Sequence, residues 1–387
     1  MRRTLISLCT ALTLALTGAV AAGPAQAAAR APSPGTPTPV TAANLVTPLS
    51  VAAGRGSSVL FTQNFAGLLD RTDANGNVST VYRTSTPGAE VGAVSYRYGV
   101  TVFAENTGAG SENPAITTGL IKAILPGGRV VTLADVATHE EQTNPDGNVR
   151  YGFRDLPASC LAQVPAEVPA SYTGHVDSHA YATEPTLNGV YVADAGGNDI
   201  VVVNPWTHSV RTVAVLPPSV THVTAQAAQA TGLPACTVGH DYYFEPVPTD
   251  VRKGWDGWLY VSTLPGGPED PSLGARGAVY RVNPRTGATQ LVASGLASPT
   301  GLAFSPRGDL YVAELFGNRV SVITRGSHTA RPFLSVPLPA DVSVKGCTLY
   351  VTTNALPGDN TPPAGQVVKV TLAGERRGAV GPNQDAD

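Results

Sequence analysis

Apolar and polar residues alternate with a period of two along much of this chain, in short runs separated by turn residues. That is the pattern of half-buried β-strands. The clearest stretch is PTGLAFSPRGDLYVAELFGNRVSVITRGSHTARPFL, residues 299–334, which divides into GLAF, DLYVAE, RVSVI and HTARPFL. PRG and TRG supply the tight turns between them. The same unit recurs at residues 48–83, 88–133, 175–215, 248–292 and 339–372. A repeat of four short strands predicts an all-β, six-bladed β-propeller built of NHL-like repeats. The last unit has no good fourth strand. VTAANLVT, residues 40–47, precedes the first unit as TQLVASGLAS precedes the PTGLAF unit, and it is expected to supply that strand, closing the ring.

Two long insertions depart from the repeat. Residues 136–176 are rich in Pro, Asn and Asp, and residues 216–245 contain SVTHVTAQAAQATG, read as one short helix capped by Ser219 and stopped by Gly232. Both flank the third unit and should emerge on one face. Cys160 and Cys236 lie one in each insertion, so they are expected to pair; Cys347 is read as an inert buried thiol within a strand.

The ends carry different information. Arg2 and Arg3, the apolar run LISLCTALTLALTGAV and the small-residue stop at Ala25, Gln26 and Ala27 define a signal peptide over residues 1–27, hence a secreted protein. A Pro/Ala-rich linker over 28–39, a propeller domain over 40–372 and a disordered tail over 373–387 complete the expected organisation. Losing the leader takes the formal charge from −3 to −5, and no Lys/Arg cluster stands out, which argues against nucleic acid as a partner. With 41 Gly and 33 Pro but only 14% charged residues, the chain is turn-rich and apolar enough for a core. No second apolar run follows the leader, so no membrane span is expected.

The NHL-like blade PTGLAFSPRGDLYVAELFGNRVSVI and the stretch HDYYFEPVPTDVRKGWDGWLYVSTLPGGPEDPSLGARGAVYRVNP together resemble the ScyD/ScyE family of exported propellers, over roughly residues 40–372. The resemblance implies the fold and export, and it implies no particular activity.

Candidate chemistry follows from aligning the units on their first strands. Ser50, Glu90, Asp177, Asp250, Gly301 and Asp341 fall at equivalent places around the expected channel mouth, with His179 two residues beyond Asp177 and facing the same way. Three readings stand side by side. The aspartates cap strand starts by accepting backbone N–H groups. Alternatively Glu90, Asp177, Asp250 and Asp341 hold a cation, for which calcium suits oxygen ligands. Or they act as acid–base groups. Glu105, Asp194 and Glu314, where second strands end, form a second set, read either as solvated charges or as carboxylates turned toward a ligand. No G-x-S-x-G or H-E-x-x-H motif occurs, and NPDGN at 144–148 lacks the length of a calcium loop. Trp255 and Trp258 bracket a turn, as a contact surface or as blade-edge packing.

Two functions are therefore expected. One is a secreted binding or scaffold propeller that takes a small molecule, glycan or protein at the channel mouth. The alternative is a calcium-dependent hydrolase such as a lactonase, by fold analogy with the gluconolactonase and paraoxonase type. Those enzymes use Glu/Asn/Asp channel ligands, and this chain lacks a matching set of channel asparagines.

Overall fold

A computed structural model describes residues 33–109, 117–268, 271–358 and 361–373. The signal peptide read over 1–27 lies outside them, as does the expected tail apart from Ala373, which ends the last strand.

Period-two alternation becomes antiparallel sheet throughout. Among the described residues seven sheets form, and six of them are built mainly from strands consecutive in the chain. The first comprises Val51–Ala53, Val59–Gln63, Leu68–Thr72 and Val78–Arg83. The second comprises Glu90–Arg97, Val100–Thr107, Thr118–Ile124 and Val130–Asp135. The third runs Ala180–Thr186, Gly189–Asp194, Asp199–Val203 and Val210–Val215, and the fourth Pro248–Lys253, Leu259–Thr263, Gly277–Val282 and Thr289–Leu296. The fifth is Pro299–Phe304, Leu310–Glu314, Arg319–Ile323 and Ala330–Ser335. The sixth joins Val342–Lys345, Thr348–Thr353 and Gln366–Ala373 to two short N-terminal strands.

The first strand of each of these sheets packs against the first strand of the next, and the sixth returns to the first. Apolar side chains fill the spaces between neighbouring sheets. Ala303, Tyr311 and Val320 of the fifth meet Val342, Leu349 and Val368 of the sixth, and Val51, Val59 and Phe61 of the first meet Val367 of the sixth. Each sheet thus buries both faces against neighbours, which removes the ring's free inner edge from solvent.

The closing segment differs from expectation. The strands that pair with Gln366–Ala373 are Ser33–Pro34 and Thr38–Pro39, inside the stretch read as a linker. Residues 40–47 follow as an irregular extension: Val40 N–H and Thr41 N–H donate to the Val367 carbonyl, the Val367 N–H donates to Thr41 Oγ1, and Leu45 bridges Gly365. Prolines at 34, 37 and 39 lack the N–H a ladder needs, so the pairing breaks into two-residue pieces.

The insertions are more ordered than loops. Arg150–Phe153, Ser171–Thr173, Ser219–His222 and Asp241–Phe244 make the seventh sheet, in which Gly152 lies opposite Tyr243. Ser219 begins a strand rather than capping a helix, because S-V-T-H alternates and pairs with Asp241–Phe244. Helix α1 is Val136–Thr143, capped by Asp135, and α2 is Ala158–Leu161. Helix α3 (Ala225–Thr231) is capped by Thr224, whose side chain accepts from Ala227 N–H, and it stops at left-handed Gly232 as expected. Cys160 and Cys236 are bonded with Cα atoms 5.9 Å apart, against Phe153, Val223 and Tyr242. Cys347 sits half-buried in a strand-joining turn, outside any disulfide, not buried within a strand.

Candidate functional site

The first strands carry their opening carboxylates inward, but at two depths. Asp250 and Asp341 are buried inside the ring, and both face Arg252. Asp250 and Arg252 are two residues apart on one strand, so both point into the channel. Arg252 Nη2 lies 3.4 Å from Asp250 and 3.9 Å from Asp341, Nη1 is 3.9 Å from Glu184, and Nε and Nη1 donate to the carbonyls of Leu302 and Thr183. Each aspartate also accepts two backbone N–H groups, Val251 and Leu302 for Asp250, Val342 and Val51 for Asp341. Arg97 reaches Glu184 from the second sheet at 3.2 Å.

Burial pushes the Asp250 and Asp341 carboxyls up, and for Asp341 the charge of Asp250 adds to it; Arg252 works in the opposite direction on both. Burial likewise raises Glu184 to about 7 against the pull of Arg252 and Arg97. Three carboxyls facing two guanidiniums leave one negative charge in surplus, which one retained proton cancels. At the ends of the first strands, the opposite mouth holds a cavity of about 100 Å³ lined by Arg97, Glu184, Arg252 and Lys345.

The mouth where the first strands begin is also where the insertions enter, and it holds the remaining candidates. His179 Nε2 stands 3.3 Å from Glu90 Oε2, the two side chains 25% and 23% exposed. Burial lowers the imidazole, but Glu90, with Asp194 and Asp177 behind it, outweighs that and raises it. Asp177 accepts the N–H of Ser178. Asp177, Asp250 and Asp341 therefore all cap the N–H of the following residue. The four carboxylates do not converge on one cation: two are engaged by Arg252 and one by His179. Among the described residues no group of three or more His, Cys, Asp or Glu side chains is arranged to hold a metal ion. The calcium set expected from the alignment does not fit this geometry.

Glu105, Asp194 and Glu314 are all buried, so the solvated-charge reading fails. Two carry a cation of their own. Glu105 accepts from Tyr82 Oη at 2.5 Å and pairs with Lys122 at 3.0 Å, which together hold it low despite burial. Glu314 takes Arg319 through two nitrogens at 2.8 and 2.7 Å, with Ser321 and the Ala297 N–H beside it. Asp194 accepts from Ser178 Oγ and the His179 N–H, both at 2.6 Å, and meets more acid instead of a cation.

That further acid was missed in the sequence. Asp199 stands opposite Asp194 in the ladder, and Glu140 descends from α1. A methyl group placed on Gly197 would lie 3.1 Å from Glu140 Oε2 and 3.5 Å from both Asp194 Cγ and Asp199 Oδ1. Glu140 Oε1 and both Asp199 oxygens make no hydrogen bond of normal geometry, although the Thr212 hydroxyl faces Asp199. Burial, with the neighbouring carboxylates, pushes Glu140 up to about 9 and Asp199 well above the ordinary range. At neutral pH this cluster holds protons. Asp146, bonded to Tyr151 Oη and Asn198 Nδ2, is raised by burial too.

No known protein-family profile matches the chain, and no curated protein matches it. Solved structures do. A gluconolactonase from Xanthomonas campestris is similar over 88% of this chain and 97% of its own, at 10% identity and a TM-score of 0.51. A protein of unknown function from Bacteroides thetaiotaomicron VPI-5482 is similar over 88% of this chain and 73% of its own, at 12% identity and a TM-score of 0.51. Virginiamycin B lyase from Staphylococcus aureus gives 16% identity over 85% and 97%, with a TM-score of 0.46. At such identities the two likenesses with a TM-score of 0.51 concern the fold, and together with the ring of mostly four-stranded sheets they make this chain a β-propeller protein.

Proposed function

We propose that the protein is an exported six-bladed propeller of the ScyD/ScyE type that works as a binding protein, taking its ligand at the channel mouth beneath the seventh sheet. The six ring sheets are the blades and the seventh is an accessory made by the insertions. The observation that carries the reading is Arg252. It occupies the carboxylates a channel cation would need, so the interior is a self-satisfied plug, while Glu90, His179 and Asp177 remain at the partly open mouth. A disulfide suits an oxidising compartment, and no helix among the described residues is long and apolar enough to cross a membrane.

A thermal-shift screen of small molecules, oligosaccharides and peptides should yield ligands whose stabilisation is lost in His179→Ala and Glu90→Gln proteins. Hits untouched by both substitutions would move recognition elsewhere. The hydrolase reading needs a cation where Arg252 stands. Calcium-dependent lactone hydrolysis, abolished by a chelator, would overturn the binding role.

A further inference from the structure

The seventh sheet, α3 and residues Gly266, Gly267, Pro268 and Leu273 line a second cavity of about 360 Å³. That falls within the range of roughly 300–1,000 Å³ for sites that take small molecules. Val168, Tyr172, Val223, Leu233, Tyr242 and Phe244 line it. All but Tyr172 belong to the apolar cluster around the Cys160–Cys236 bond or stand at its edge, so the disulfide braces the walls they form. Two of the rings are held in place by their partners. Tyr242 donates to the Pro169 carbonyl and meets Phe153 edge-on, and the Arg276 guanidinium covers one face of Phe244 at 4.5 Å.

The polar groups in the lining are acidic or hydroxylic. Glu245 lies at the wall shared with Tyr172, to which it is hydrogen-bonded, and Glu167 stands exposed at the rim. Behind Glu245 lie Asp146 and Asp177, whose charges push its carboxyl further up once burial has raised it; His175 works the other way. Thr221 also lines the cavity, with Oγ1 buried and lacking a hydrogen-bond partner. Aromatic faces beside carboxylates favour positive charge on an apolar body, and the Arg276 guanidinium already takes that place on the one face of Phe244 it covers.

We propose that this cavity binds a small organic cation, an apolar or aromatic body bearing one amine, with the amine seated at Glu245 and the body among Tyr172, Tyr242 and Phe244. The site is distinct from the channel mouth and does not rest on the reading given for it.

Titration calorimetry on the disulfide-intact mature chain tests this with phenethylamine, phenethyl alcohol and phenylacetate. The amine should bind saturably and roughly tenfold or more tighter than the alcohol, and phenylacetate should not bind. Glu245→Gln should bring the amine down to the level of the alcohol, while Leu233→Trp should abolish binding of both by filling the cavity. If the tryptophan variant does not fold, the Glu245→Gln comparison decides alone. Equal affinity for amine and alcohol, or undiminished amine binding in Glu245→Gln, overturns the proposal. Loss of amine binding in His179→Ala but not in Glu245→Gln also overturns it, and assigns the amine to the channel mouth.

Discussion

Residues 194–199 and 314–319 are the same turn in two sheets, solved in opposite ways. Each ends the second strand on a carboxylate, passes an asparagine with positive φ (Asn198 at 55°, Asn318 at 51°) and starts the third strand on the residue opposite that carboxylate. In the fifth sheet that residue is Arg319, and Glu314 is buried with its counter-ion. In the third it is Asp199, and Glu140 adds a further carboxyl. One backbone device thus carries either an ion pair or a cluster of carboxyls that burial keeps protonated. The acid replaces the arginine where the insertion bearing α1 covers the turn, so the repeat departs from its pattern where it acquired a neighbour.

Breaking the ion pair should have the largest effect. Arg319→Ala leaves a fully buried carboxylate alone and should cost about 3 kcal/mol in denaturant unfolding at neutral pH. Asp199→Asn should do the reverse. It should raise stability at pH 8, where burial and the neighbouring carboxyls oppose ionisation, and change it little near pH 4, where the carboxyl keeps its proton.

A third test uses pH itself. A group whose folded pKa is raised lends stability that is complete below its unfolded pKa and is lost as pH rises through the folded one. For Glu140, stability should decline from about 4.5 toward about 9. The melting temperature of the parent should fall across that window, and Glu140→Gln should flatten the fall. A melting temperature rising over the same range would mean the cluster is ionised and stabilised by something else. The smallest effect is expected for Ser178→Ala, which removes one buried donor to Asp194, about 1 kcal/mol at neutral pH.

The blades were legible because their signal is local: alternation and turn residues within each unit decide the strands. The disulfide was legible from which insertions held the cysteines. The seventh sheet was not, since Gly152 and Tyr243 pair across most of the third sheet's sequence and neither strand shows its partner. In the channel the aligned aspartates were visible, but Arg252, which both of them face, was overlooked. Its signal was present in Asp250-x-Arg252, where a period of two sets both side chains on one face. Setting VADAGGND beside VAELFGNR likewise exposes Asp199 in the place of Arg319. Glu140 carried no such mark, because nothing in an unpatterned insertion says what it will cover. Trp258 lies beneath the Arg281 guanidinium, while Trp255 is 48% exposed.

The pairing of Ser33 with Ala373 also has a consequence for the order of assembly. During synthesis the segment that will close the ring emerges first and then waits without a mate until the last strand has followed it. Each blade can form as its own hairpins arrive, and the Cys160–Cys236 bond can be made midway. The circle itself is sealed last, by the contact most distant along the chain, whose closure carries the largest loop entropy. Until that moment the sixth sheet lacks its outer edge strands, and the newly made chain is most open to proteases and to the edges of its neighbours.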